Sequence, residues 1–173
     1  MATGAFAAEF EVEGSLGDNV TWTLTSDGVL TVSGNGAIDD YSLKYSFGSF
    51  VGCTSPIWSH AASVKSIVIE DGVTGIGNAA FYGCKVKSVD IADSVSSISA
   101  YAFGNCDELE SIVIPDSVTN IYSKAFDGCD ALKQVKLSKN WNKMGPYGYD
   151  GSYNANFGAP LYDSPFSNCP SIT

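Results

Sequence analysis

The sequence contains no arginine. Its nine basic residues are all lysines, set against nineteen acidic ones, for a formal net charge of −10 over 173 residues. Binding to nucleic acid rests on clustered Lys and Arg that neutralise phosphates, so this balance argues against such a partner, and an anionic membrane surface is disfavoured in the same way. No apolar run approaches the ~20 residues needed to cross a bilayer, which argues against membrane insertion. The start, "MATGAFAAEFEVEG", lacks the basic stretch and sustained apolar core of a secretory signal, and residues 1–16 read as a leader ahead of the fold. Histidine occurs once, and there is no Cys-x-x-Cys pair, glycine-rich phosphate loop, nucleophile elbow or paired-histidine motif. These absences point away from an enzyme and away from any cofactor or metal. Five cysteines, an odd number, leave at least one thiol unpaired within the chain.

What the chain does have is apolar substance. Hydrophobic residues make up 45% and charged residues only 16%, the balance of a folded chain, and the length suits one domain. It also has a repeat. "VKSIVIEDGVTGIGNAAFYGC" (64–84) is followed by "VKSVDIADSVSSISAYAFGNC" and "LESIVIPDSVTNIYSKAFDGC", whose closing Cys84, Cys106 and Cys129 are spaced by 22 and then 23 residues. Such a period marks a stacked repeat. In each unit an L-x-x-L-x-L pattern (Val64, Ile67, Ile69; Val86, Val89, Ile91; Leu109, Ile112, Ile114) predicts a short strand, since its last two members alternate along one face. A turn pair follows at Asp71-Gly72, Asp93-Ser94 or Asp116-Ser117, and then a second apolar pair at Val73/Ile76, Val95/Ile98 or Val118/Ile121. Ala-Phe at 80–81, 102–103 and 125–126, three residues before each cysteine, suits a short helical turn. One unit cannot bury these side chains alone, whereas stacking puts Phe on Phe along a shared core.

A fourth unit restarts at Leu132, Val135 and Leu137, and a step of 23 residues from Val118 and Ile121 lands on Trp141 and Met144. Its closing Phe166 and Cys169 arrive late, because this unit carries seventeen extra residues. After Cys169 only "PSIT" remains, with Ile172 where a fifth strand would begin, the pattern of an array that continues beyond this sequence. Ahead of the repeats, "VTWTLTSDGVLTVSG" alternates Val20, Trp22 and Leu24 with threonines, turns at Ser26-Asp27-Gly28 and resumes with Leu30 and Val32, a hairpin signal. The expected fold is therefore a β-rich repeat solenoid, leucine-rich-repeat-like with strands plus short helical turns, closed by an N-terminal β-hairpin cap. Residues 17–60 supply the cap and a connecting loop from Asn35 to His60; residues 61–173 supply four units, the fourth carrying its insertion at 145–164.

The candidate sites follow from this frame. The cysteine column reads as a small buried residue filling one slot per unit. His60 and Cys53 read as two loop residues rather than a nucleophilic pair, and Asp39-Asp40 as neighbours whose side chains diverge. Asp150 and Asp163 lack the ligand order of a calcium loop. The strand face offers Ser66, Ser88, Ser111 and Gln134 in one column and Val68, Asp90, Val113 and Lys136 in the next, with few anchors. The insertion, "GPYGYDGSYNANFGAPLYDS", concentrates Tyr147, Tyr149, Tyr153, Phe157 and Tyr162 among Gly, Asn, Ser and Pro. That mixture has the composition of a paratope, where tyrosines give wide amphipathic contact at low entropic cost, and stacked rings can also hold a sugar. These five aromatics are the expected binding residues.

"SIVIEDGVTGIGNAAFYGC" and "SIVIPDSVTNIYSKAFDGC" resemble the repeats of BspA-like leucine-rich-repeat proteins, and "GDNVTWTLTSDGVLTVSGNGAIDDY" resembles the segment that often precedes them. The resemblance covers Gly17 to Cys169. It implies an exported protein at the surface of a host-associated bacterium, a family in which adhesion to host proteins or to other cells is common. The expectation is thus a non-enzymatic surface binding or adhesion module for a protein or glycan, possible host molecules included. The alternatives are a spacer with no ligand of its own and a glycan hydrolase. The ligand's identity and the oligomeric state are not legible.

Overall fold

The computed structural model describes residues 10–140, 143–145 and 164–172, with side chains over 12–140 and 164–172. It opens with three antiparallel strands, β1 (Phe10–Gly17), β2 (Val20–Thr25) and β3 (Val29–Gly34). Trp22 lies opposite Val32 and Leu24 opposite Leu30, and all four are buried because the apolar residues of both strands share one face. Most of β1 lies in the stretch 1–16 that the sequence assigns to a leader. It pairs along β2 through a register shift at each end, an irregularity that hides it from simple alternation.

The stretch 35–60, expected as loop, is also structured. It holds β4 (Gly36–Ala37), a hairpin of β5 (Leu43–Ser46) and β6 (Ser49–Cys53), and a 3-10 turn at Pro56–His60. Pro56 starts that turn and the Ser55 hydroxyl receives the Ile57 N–H. The same hydroxyl donates to the Ala80 carbonyl at 2.6 Å, tying this turn to the next unit.

Each repeat then contributes two strands: β7 (Ser66–Ile69) and β8 (Val73–Ile76), β9 (Ser88–Ile91) and β10 (Ser97–Ile98), β11 (Ser111–Val113) and β12 (Asn120–Tyr122), β13 (Gln134–Lys136) and β14 (Lys143–Gly145). Equivalent strands run parallel. The second strands join in one continuous ladder, β4-β8-β10-β12-β14, and Ile121 pairs with Met144 in the register the sequence predicts. The first strands form two ladders, β3-β7-β9 and β11-β13. The interruption falls where the period changes from 22 to 23 residues, with the extra residue between Cys106 and Leu109, directly ahead of β11.

The third side of each unit is a chain of turns rather than a helical turn. Ala79, Tyr101 and Lys124 occupy the left-handed region with φ of 51, 55 and 60°, Gly83, Asn105 and Gly128 occupy it again four residues on, and Asn168 holds that second place in the fourth unit. Two left-handed residues bracket each Ala-Phe pair and break any helical run. Gly and Asn at the second column are the residues that tolerate this conformation best. Between units, Phe81 N–H donates to the Ala102 carbonyl and Phe103 N–H to that of Ala125, both at 2.8 Å, while Phe126 N–H reaches Pro165 at 2.8 Å.

Inside, the phenylalanines align. Phe81, Phe103, Phe126 and Phe166 stack with centroids 5.2–5.3 Å apart and interplanar angles of 8–22°. The first three are fully buried, as are Val73, Ile98, Ile121 and Leu109. One apolar core thus runs from Leu16 in β1 to Leu132, and Phe166 and Cys169 pack against it.

Candidate functional site: a thiol column, a bridged insertion and an aromatic hairpin

All five cysteines are free thiols, and Cys84, Cys106 and Cys129 are fully buried. The column fills one slot per unit, and it also makes a bond. Cys106 Sγ donates to the Phe81 carbonyl at 3.3 Å, Cys129 Sγ to Phe103 at 3.2 Å and Cys169 Sγ to Phe126 at 3.0 Å. A small apolar side chain with a weak donor fills the gap and adds a second bond to a carbonyl that already accepts the N–H of Cys84, Cys106 or Cys129 within its own turn. Burial pushes the Cys84 and Cys129 thiols up to about 12 and raises Cys106, Cys53 and Cys169 as well. Two results are expected. In native protein at pH 8 a thiol reagent leaves Cys84, Cys106 and Cys129 unmodified, with all five cysteines reacting in urea. In addition, the folded thiols bind their protons more tightly than the unfolded ones, whose ordinary value is 9.0. Their stabilisation is therefore complete below pH 9 and is lost as pH rises toward about 12, which a falling urea midpoint between pH 8.5 and 11 would record.

The thiol bonds measure the insertion. Cys129 and Phe103 are 26 residues apart in sequence, Cys169 and Phe126 are 43 apart, and the difference is the seventeen extra residues. On the far side of the insertion Ser164 accepts from Lys124 N–H at 3.1 Å, and on the near side β14 pairs with β12. The array is thus in register on both sides of the insertion, at Gly145 and at Ser164. The expected binding residues Tyr147, Tyr149, Tyr153, Phe157 and Tyr162 lie outside the described residues, as do Asp150 and Asp163.

The other sequence candidates separate. The Cys53 thiol donates to the Ala79 carbonyl at 3.5 Å while the His60 ring packs 5.6 Å from that of Trp22, so they form no nucleophilic pair. Asp40 accepts from the Asn78 N–H at 2.7 Å, whereas the exposed Asp39 instead donates its backbone N–H to the Leu16 carbonyl. Among the described residues no cluster of His, Cys, Asp or Glu could hold a metal ion. On the strand face Ser88, Ser111, Gln134, Asp90, Val113 and Lys136 are exposed, Ser66 and Val68 partly so.

The β5–β6 hairpin is the site that sequence reasoning missed. Tyr45 is 61% exposed, Val51 58%, and Phe47 at the tip wholly exposed. Phe50 packs edge-on against Trp58 at 5.5 Å and at a tilt against Tyr82 at 5.3 Å, and Tyr82 leads on to Tyr101 at 6.5 Å. Phe47 and Gly48 both have positive φ, 48 and 81°, as a two-residue hairpin turn of this kind requires. Asn-Gly is the usual solution there, so the "Phe-Gly" pair conceals the turn. Between this hairpin and the turns of the first two units lies a cleft of about 420 Å³, lined by Asp40, Tyr41, Leu43, Tyr45, Asn78 and Tyr101 among others. Desolvation and the nearby Asp39 raise the Tyr41 hydroxyl to about 12.

The repeat geometry coincides with a known family. The model of the BspA type Leucine rich repeat region matches residues 55–173 in six copies. The chain belongs to this family. The six BspA-type copies exceed the four units counted from the sequence, and the match begins beside the 3-10 turn, whose Ile57 is part of the same core as Phe81. Among solved structures, a leucine rich cell surface protein from Faecalibacterium prausnitzii is similar at 21% identity over 91% of this chain and 38% of its own, with a TM-score of 0.57. A leucine-rich repeat protein from Bacteroides ovatus is 20% identical over 90% of this chain and 45% of its own, with a TM-score of 0.48, and one from Eubacterium ventriosum is 22% identical over 75% and 44%, also at 0.48. The chain spans less than half the length of each. At these identities the likeness speaks for the fold alone. Curated proteins give no match. Among the described residues no helix is long and apolar enough to cross a membrane.

Proposed function

We propose that this chain is a non-enzymatic binding or adhesion module of a bacterial cell surface. In this reading its BspA-type repeats form a solenoid closed at the N-terminal end by β1–β3, and it recognises a protein or glycan through the tyrosine-rich segment 145–164. The observation that carries the reading is the closure of the array across that segment. Phe126 stacks on Phe166 at 5.2 Å and Cys169 bonds back to Phe126 as its siblings do, so the repeat resumes beyond the insertion with the contacts it makes elsewhere. Seventeen residues beyond the repeat length, with five aromatics in the segment and a packed array on either side, suit a contact loop, since desolvated aromatic anchors carry most binding energy at interfaces.

The test replaces Gly145 to Ser164 by the three-residue link found in the other units and screens both proteins against host proteins and glycans. The shortened protein is expected to keep its circular dichroism spectrum and to melt within about 3 °C of the parent, because long loops cost little entropy to close. At least one protein or glycan ligand of the parent is expected to be lost by the shortened protein. If every ligand of the parent is held equally by both proteins, the segment drops out of the reading.

A further inference from the structure

We infer that the cleft between the β5–β6 hairpin and the turns of the first two units is a second ligand site, built for a neutral saccharide. It is separate from the segment 145–164. The repeat supplies its own controls. Ala79, Tyr101 and Lys124 hold one left-handed backbone position in successive units, so the fold accepts a methyl group, a phenol or an ammonium there. Tyrosine at 101 is therefore not a demand of the fold. Tyr82 likewise has Gly104 and Asp127 as its counterparts. Both departures fall in the two units that face the hairpin, where Tyr82 props Phe50 and Trp58 and Tyr101 lines the cleft. The hairpin adds Leu43 and Tyr45, and Tyr41 closes the group.

The polar groups suit hydroxyls rather than charge. One Asp40 oxygen is held by the Asn78 N–H at 2.7 Å, which fixes the carboxylate, and its second oxygen has no partner among the described residues. A fixed carboxylate accepts strong hydrogen bonds from sugar hydroxyls, while tyrosine rings take the apolar C–H face of a pyranose. At about 420 Å³ the cleft falls in the size range of small-ligand sites, with a few polar groups among apolar ones. Asp39 and Asp40 beside it, in a chain of net charge −10, turn away sialylated, sulfated and uronic-acid sugars. The Lys124 ammonium, over the Tyr101 ring at 5.9 Å, sets one positive charge against the two carboxylates.

The test is titration calorimetry on the intact protein with neutral gluco-, manno- and N-acetylglucosamine oligosaccharides, using sialylated and sulfated glycans for comparison. Tyr101→Lys copies the residue a sibling unit carries at this position. Tyr45→Ser alters a largely exposed ring, so it reads out the site even if the first variant folds poorly. Each change is expected to weaken binding of the neutral sugar about fivefold to tenfold with the fold unchanged, the loss of one ring contact. Replacement of 145–164 leaves this binding intact. Absence of neutral-sugar binding, a preference for anionic glycans, or affinities unmoved by both tyrosine variants would overturn the inference. So would neutral-sugar binding that vanishes only when 145–164 is replaced.

Discussion

Phe103→Ala is expected to destabilise the protein by about 3 to 5 kcal/mol, a large share of the roughly 5 to 15 kcal/mol that holds an ordinary domain folded. Phe103 is fully buried and lies between two other rings, 5.3 Å from each, so truncation removes two stacking contacts and opens a cavity in the middle of the column. The surroundings cannot collapse into it. The turn backbone on both sides is fixed by hydrogen bonds from unit to unit, through Phe81 to Ala102 and Phe103 to Ala125. Urea unfolding followed by circular dichroism gives the number. Phe103→Leu, which keeps part of the volume, should lose less than half as much. A loss below about 1 kcal/mol for the alanine variant would mean that the column adds little beyond surface burial.

Gly34→Ala is expected to cost about 2 to 4 kcal/mol, though it adds a single methyl group. Gly34 ends β3 at a φ of 129°, where a Cβ is strained by conformation alone, and that Cβ would also fall inside the contact radius of the Asn19 carbonyl oxygen. Neither neighbour can yield. Asn19 O already accepts the N–H of Asn35, and Val20 beside it is fully buried at the start of β2. The adjoining turn leans on the same place, since a Cβ on Gly72 would strike the Gly34 carbonyl. The same urea measurement applies. Gly36→Ala is the comparison, because it shares a positive φ of 143° but has open space around its Cβ. It should therefore report conformational strain without the clash, and the difference between the two isolates the steric part.

The parts of the fold legible in the sequence are those in which side-chain chemistry repeats. Ile69, Ile91 and Ile114 mark first strands, and Phe81, Phe103 and Phe126 mark the column, because each unit must present the same apolar group at the same place to bury its neighbour's. The parts that escaped are held by backbone hydrogen bonds with irregular side chains. β1 pairs through register shifts at both ends, and β5 and β6 pair around another shift beside a turn that uses Phe47 where Asn is usual. The helical turn expected around Ala-Phe is replaced by bracketed turns, since Ala79, Tyr101 and Lys124 give no hint of a left-handed backbone. As for the sites, the buried role of the thiols was legible from their spacing. Their bonds to phenylalanine carbonyls were not, because the partner belongs to the preceding unit. The aromatic cleft assembles Tyr41 and Tyr45, Asn78, and Tyr101 from three stretches of chain, and only folding brings them together.

Because the array closes between Gly145 and Ser164 with its register intact, that junction acts as a graft point. Lengthening the chain there twofold adds only about 0.6 kcal/mol of closure entropy. A foreign peptide spliced into this position is expected to leave the Phe126–Phe166 stack and the Cys169 bond on either side of it in place.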